Sequence, residues 1–377
     1  MIGKLEKFGR ILAALAFLSL SASAQELLIG QVAPLSGVLA DTGKDMVLGA
    51  RVYFDHVNAT GGIRGRKIRH IVKDDGYVVA DTVRLTRDAI DNDKVLVLFG
   101  FAGTGNVGEL LKQNVLSDAR IALVAPYTGG EPLRSPFNPN IFHIRAGYGD
   151  ETEEMIKQLD RQSIKRIAVM YQDDPFGKAG LAGVEVALKK RNIPLLASAG
   201  YEKNTDNVTE AVKTLSAALP QAVIMISINK SSGAFISQFR VLAPGVQLFN
   251  ISVVNPKELV RIATLEKARG VAIAQVMPYP FGTGTAVVKE YQKLMAKYAP
   301  GADFTYASLE EFIGAKVLVE GLRRAGANPT REKVVKALES MTRYDAGGFT
   351  VSFSPTNRIG SRFVDITIIG KDGTLKR

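Results

Sequence analysis

Short apolar runs alternate along the chain with segments whose apolar residues recur at helical spacing. Leu27–Val32 is the first run, broken by Ala33-Pro34-Leu35-Ser36-Gly37. From about Thr42, the residues Met46, Ala50, Tyr53 and Val57 fall on one helical face. Gly61-Gly62 then supplies a left-handed stop. Lys67–Lys73 predicts a second strand, closed by Asp74-Asp75-Gly76, and Val78–Ile90 a second helix. Val95–Phe99 is unbroken apolar sequence, suited to a strand buried on both faces. Ile121–Val124 predicts a fourth strand. This βαβα alternation implies a parallel sheet with helices on both faces.

The alternation starts again near residue 150. Glu151–Leu159 reads as helix, Arg166–Tyr171 as strand, and Pro175 suits the first turn of a helix running to Lys190. A strand at Pro194–Ala197, a helix near 206–218, a strand at Ala222–Ser227 and a helix at Ser231–Leu242 follow. Strands at Val246–Ile251 and Val271–Val276 come next. Met277–Gly282 reads as a linker, then helices near 284–298, 306–325 and 330–341. Asp345–Gly348 is a second break before strands at Phe349–Phe353 and Phe363–Ile369. Two rounds of alternation over about 350 residues predict two α/β lobes.

Residues 95–108 organise the first lobe. Gly100, Gly103, Gly105 and Gly108 follow the apolar run, and Glu109-Leu110-Leu111 restarts at helical spacing. A strand–glycine turn–helix unit aims backbone N–H groups and a helix N-terminus at one point, which suits an anion. Gly103, Gly105 and Gly108 also spell the dinucleotide pattern G-x-G-x-x-G. That pattern belongs in the first βα turn of its domain, with an acid at the end of the next strand. Here two strand–helix units come first, and the next strand ends in Ala125-Pro126. Close helix–strand packing is the plainer alternative. The loop after the fourth strand, Ala125–Pro132, is also polar and glycine-bearing, and puts Thr128 on the same rim as Thr104. In open parallel sheets, ligands bind beyond the carboxyl ends of the strands.

Composition narrows the possibilities. Lys4, Lys7 and Arg10 precede an apolar stretch, Ile11–Leu20, and then Ala22-Ser23-Ala24. That is an export signal, with cleavage expected after Ala24. The stretch is too short to span a bilayer, so we expect an exported, soluble product with no membrane insertion of the mature chain. There is no cysteine, which excludes disulfides, thiolate metal sites, cysteine nucleophiles and a lipidated amino-terminal cysteine. The net charge of +11 raises nucleic acid as a partner. Yet the cations lie in short groups, Arg64–Lys67, Lys189–Arg191 and Arg323-Arg324, with few interleaved aromatics. They read as solvated faces and imply no nucleic acid. His56, His70 and His143 lack metal-ligand spacing, and there is no G-x-S-x-G or H-E-x-x-H. Asp74-Asp75 and Asp173-Asp174 could serve general acid/base or cation work, but they read first as turn formers and helix caps. Nothing compels an enzyme, a metal or a cofactor.

The landmarks together carry a resemblance. They are Ile29–Gly37, Gly49-Ala50, Asn58–Arg66, Asp74-Asp75, Thr104, Pro126–Gly129 and Phe176-Gly177, in that order behind an export signal. The chain resembles the periplasmic substrate-binding proteins of ABC importers, of the leucine/isoleucine/valine-binding type, over essentially its whole mature length. The resemblance implies two doubly wound lobes joined by a three-strand hinge, residues 25–145 plus 279–345 and 146–278 plus 346–377, with the ligand between them. It implies a monomeric periplasmic receptor that hands its ligand to a membrane permease. A sensing module for a signalling partner and an exported enzyme are the alternatives. It places the ligand carboxylate at Thr104 and Thr128, near the N–H groups of Gly105 and Asn106, with Tyr127 and Phe176 packing on the ligand body. In one respect the chain departs from the family. Amino acid receptors of this type hold the ligand ammonium with an acid in the second lobe, and the matching region, Asn250–Val254, has none. An unpaired buried ammonium is costly. Either the ligand is a carboxylate without the amine, or Asn229, Ser252 or another group supplies neutral acceptors.

Overall fold

The computed structural model describes residues 25–377; the expected export signal, residues 1–24, lies outside them. The first sheet has five strands, β1 (Leu27–Ala33), β2 (Ile68–Asp74), β3 (Val97–Phe99), β4 (Leu123–Val124) and β5 (Ile141–Phe142). All pair in parallel, in the order β2-β1-β3-β4-β5. Its helices are α1 (Ala40–Ala59), α2 (Val79–Asp91), α3 (Thr104–Lys112) and the short α4 (Val115–Asp118). Every residue of β3 is buried, as its unbroken apolar run requires, whereas edge strand β2 is mostly half-exposed.

The second lobe contains α5 (Tyr148–Arg161), β6 (Ile167–Gln172), α6 (Pro175–Lys189), β7 (Ala197–Tyr201), α7 (Thr209–Ala217) and β8 (Ala222–Ile226). It continues with α8 (Asn229–Leu242), β9 (Gln247–Asn250), α9 (Pro256–Ala263), α10 (Leu265–Ala268) and β10 (Ala272–Gln275). The chain then forms α11 (Ala286–Tyr298), α12 (Tyr306–Arg324), α13 (Arg331–Glu339), a ribbon of β11 (Tyr344–Asp345) and β12 (Thr350–Val351), and finally β13 (Asp365–Ile369) and β14 (Leu375–Lys376). The second sheet runs β14-β13-β10-β9-β8-β6-β7. Its last two strands are antiparallel additions to an otherwise parallel sheet. No described helix is long and apolar enough to cross a membrane.

Helix α12 returns to the first lobe and crosses α1 at close range. A Cβ on Gly49 would lie 1.9 Å from the Ser308 carbonyl oxygen, so the helices approach backbone to backbone. Tyr53 and Phe312 meet edge-to-face across this contact, 5.1 Å between centroids.

Local details depart from the sequence reading. Helix α3 begins at Thr104, not Glu109, so Gly105 and Gly108 are helical and only Gly100 and Gly103 take turn conformations. Strand β7 starts at Ala197 rather than spanning Pro194–Ala197. Pro194 has no N–H for a ladder, and pairing with β6 begins at Ala168↔Ala197. Strands β5 and β14, each two residues, and helices α9 and α10 were not anticipated.

Candidate functional site

In each sheet the strand order reverses, between β1 and β3 in the first and between β6 and β8 in the second. Loops leaving neighbouring strands there go to opposite faces and leave a crevice. The two crevices face each other. After β3 and β4 the chains continue side by side, with Ala102 bridging Tyr127 and the Tyr127 N–H donating to Phe101 O at 2.7 Å. This brings Thr104 and Thr128 together, their hydroxyls 2.7 Å apart and both residues buried. Two glycines make the approach possible. Gly103 has φ of +94°, a conformation costly for side-chain-bearing residues. A Cβ on Gly130 would lie 2.4 Å from the Thr104 methyl.

Thr104, Gly105 and Asn106 are the first residues of α3, and no side chain caps it. Their N–H groups precede the first intrahelical bond, from Val107 N–H to Gly103 O at 3.0 Å. The rim thus offers two hydroxyls beside open helix N–H donors. This is a carboxylate-sized anion seat. Tyr148, at the start of α5, brings its hydroxyl beside Thr128, and burial pushes that phenol up.

The body of the pocket is apolar and mostly aromatic. Tyr77, Tyr127, Tyr148 and Phe176 line it with Ile228 and Val253. Tyr148 and Phe176 meet edge-to-face at 5.5 Å. Phe176 is placed by the N-cap of α6, where Asp174 accepts from the Phe176 and Gly177 N–H groups at 3.0 and 3.1 Å. The paired acids are thus caps and turn ligands. Asp74 likewise accepts from Leu35 and Gly76 N–H at 2.8 and 2.9 Å.

The other residues chosen from sequence are near the cleft, but their side chains are engaged. Asn106 donates to Thr82 at 2.8 Å and accepts from Lys203 at 2.9 Å. Asn229 donates to Thr42 at 3.4 Å and accepts from the Asn255 N–H at 2.7 Å. Ser252 is held by Glu151, its hydroxyl and N–H donating at 2.9 and 2.8 Å. An acid therefore does stand behind the 250–254 loop, but it comes from α5. Glu151 also pairs with Arg145 at 3.3 Å and has no exposed surface. Arg145 reaches Glu310 of α12 at 3.4 Å and lies 4.9 Å from the Tyr127 ring centroid. Burial pushes the Glu310 carboxyl up to about 7, against the pull of Arg145. None of the pocket-lining residues is acidic.

The lobes are closed on one another. Lys203, from the loop after β7, crosses to Asn106 and lies 3.9 Å from the Tyr77 ring centroid. Lys257 pairs with Asp303 at 2.6 Å across the other rim. About 20 Å³ remains between the pocket walls, room for about one water. Anything larger enters only when the lobes part. A wider groove of about 810 Å³ lies along α5 and α6 and the loop after β4, lined by Glu131, Arg134, Gly149, Pro175 and Arg362 among others.

Gly105 tests this closure. A Cβ there would sit 3.4 Å from Pro175 of the opposite lobe. Gly105→Leu should leave each lobe folded and hold the cleft ajar. Overpacking costs about 1–3 kcal/mol, so calorimetry should show ligand affinity about tenfold or more weaker. Undiminished affinity would mean that closure does not use this contact.

The sequence profile of the periplasmic binding protein family matches residues 26–374. A Leu/Ile/Val-binding protein homologue of Brucella melitensis is 23% identical, over 92% of each chain. A substrate-binding periplasmic protein of Ralstonia solanacearum is 37% identical, with a TM-score of 0.89 over 93% of this chain and 99% of that one. A branched-chain amino acid ABC transporter structure from Thermus thermophilus, with bound valine, shares the fold at 18% identity, TM-score 0.82, over 93% and 94% of the two chains. With nearly all of the described residues matched and the two-lobe architecture shared, the chain belongs to the periplasmic binding protein family.

Proposed function

We propose that this chain is a periplasmic receptor that binds a small carboxylate-bearing solute between its lobes and delivers it to the permease of an ABC importer. The observation that carries the reading is the Thr104–Thr128 hydroxyl pair beside the open N-terminus of α3. Two hydroxyls and several N–H donors, shielded from water in a closed cleft, stabilise a carboxylate and favour no neutral group as strongly. Tyr127 and Phe176 pack on the ligand body, with Tyr77, Tyr148, Ile228 and Val253 completing the walls.

Between an amino acid and an amine-free acid, the pocket favours the second. Its lining holds no carboxylate, and the oxygens of Glu151 are occupied by Arg145 and Ser252. An ammonium there loses its water without gaining a counter-charge. The aromatic walls suit an aromatic or short aliphatic acid. The valine in the Thermus structure keeps α-amino acids as the competing class.

A thermal-shift screen decides between them. A ligand at 100 times its dissociation constant adds about 2.7 kcal/mol, which raises Tm by several degrees. The panel pairs branched and aromatic amino acids with the same skeletons lacking the amine. We expect shifts from the amine-free members. Shifts from the amino acids alone would overturn the amine-free reading. No shift from any carboxylate would overturn the carboxylate seat itself.

A further inference from the structure

A polar cavity lies between the loop after β4 and the segment that joins β12 to β13. It measures about 230 Å³ and is lined by Arg134, Ser135 and Asn138 of the loop after β4, His143 just after β5, and Asn357 and Arg358 of the segment between β12 and β13. These last two segments are bonded to each other here. The His143 N–H donates to Arg358 O at 2.9 Å, and the Gly360 N–H donates to His143 O at 2.7 Å. No acidic residue lines the cavity.

Two buried atoms of its lining residues have no partner among the described residues, the Nε of Arg134 and the Nδ1 of His143. They are of opposite kind. Arg134 spends its Nη groups on backbone carbonyls, donating to Arg145 O at 3.2 Å, Ala146 O at 3.2 Å and Thr128 O at 3.3 Å. Its Nε–H is a spare donor, with the Glu131 carboxylate nearby as a partial counter-charge. His143 is 1% exposed, and its Nε2 faces Leu133 O at 3.3 Å. Nε2 therefore carries the ring proton and Nδ1 is a bare acceptor. Burial, with Arg134 and Arg145 nearby, holds the imidazole neutral. Arg358 also stands at the wall, 4.5 Å from the Phe142 ring centroid, but its guanidinium is already engaged by Glu339, Pro139 O and Ser354 O.

A spare N–H donor on the Arg134 guanidinium and a spare nitrogen acceptor call for a ligand that is anionic and also carries a proton to give. We propose that this cavity is a binding site for hydrogen phosphate, a small oxyanion with both a negative oxygen and an O–H. Phosphate oxygens accept from Arg134 Nε–H and from the flanking amides, and its O–H donates to His143 Nδ1. Sulfate has the same shape and no proton at neutral pH, so it leaves Nδ1 unsatisfied. The site is independent of the solute cleft. Arg134 nevertheless ties it to Thr128 O, so an anion here steadies the loop that presents the carboxylate seat.

Three histidines make the test clean. The mature chain labelled with nitrogen-15 at histidine is titrated with inorganic phosphate at constant ionic strength near pH 7. We expect the His143 ring signals to move saturably while those of His56 and His70 stay. Sulfate should bind about tenfold or more weakly, the worth of one hydrogen bond. Ser135 is exposed at the cavity mouth. Ser135→Glu adds a repelling carboxylate without disturbing the core, and should weaken the phosphate response to a similar degree while leaving the phosphate-free His143 signals in place. The proposal fails if His143 does not respond up to tens of millimolar phosphate, if the response does not saturate, if sulfate matches phosphate, or if Ser135→Glu leaves the response unchanged.

Discussion

Arg145→Met should lower folding stability by about 3–5 kcal/mol at pH 8 and by clearly less at pH 5. Arg145 has no exposed surface and is shared by Glu151 from α5 and Glu310 from α12. Removing the cation strands two carboxylates in a water-free site. At pH 8 both must either stay ionised there or take up protons that the unfolded chain does not hold. At pH 5 the unfolded carboxylates are already part-protonated, so folding them as neutral acids costs little. The wild type carries a weaker form of the same dependence. Glu310 is pushed up to about 7 in the fold against an ordinary value of 4.5. The native state therefore keeps a proton that the unfolded state loses, and the Glu310 contribution to stability falls as pH rises from about 4.5 to about 7, then levels, while Glu311, Glu151 and Asp45, also raised by burial, act in the same direction. Glu310→Gln should flatten that slope. Urea denaturation at several pH values reads both effects. An equal loss at pH 5 and pH 8 in Arg145→Met would show that the residue acts by packing alone.

The fold was legible where a segment's own pattern determines its structure. The apolar runs at Leu27–Val32 and Ala222–Ser227 are strands because a doubly covered sheet needs no polar alternation. Strand β5 escaped because two residues, flanked by Asn140 and His143, carry no periodicity; only the β4 ladder makes Ile141 and Phe142 a strand. Strand β7 shifted because pairing with β6, not local composition, sets where it begins. At the candidate site, Thr104 and Thr128 could be chosen since each stands at the tip of a readable strand. Tyr148, Ile228 and Val253 could not, because an aromatic at a helix start or an aliphatic after a strand looks like core. Glu151 gave the least signal of all. An acid in the first turn of a helix is commonplace, and its place behind Ser252 exists only once α5 packs against the loop after β9.

The double substitution Thr104→Val with Thr128→Val should abolish most solute binding while sparing the fold. Each hydroxyl is assigned a hydrogen bond to a carboxylate, worth about 1.5–3 kcal/mol. Losing both should weaken the best ligand of the thermal-shift panel by about 3–5 kcal/mol, a hundredfold or more. Stability behaves differently, because the two hydroxyls are each other's partner at 2.7 Å. Replacing both by methyl groups of the same shape removes that donor and acceptor together, leaving the loss of the Thr128 acceptor for the Gly130 N–H, about 1–2 kcal/mol, as the main cost. Either single substitution instead leaves the other hydroxyl short of a partner in a buried place, although Thr128 keeps the Gly130 N–H at 3.2 Å. The double variant should therefore be at least as stable as the Thr128→Val single, which strands the Thr104 hydroxyl as well as the Gly130 N–H, and far weaker in binding than wild type. Calorimetry with the panel ligand and urea denaturation separate the two quantities. A dissociation constant within about twofold of wild type would remove both threonines from the seat, and with them the case for a carboxylate ligand.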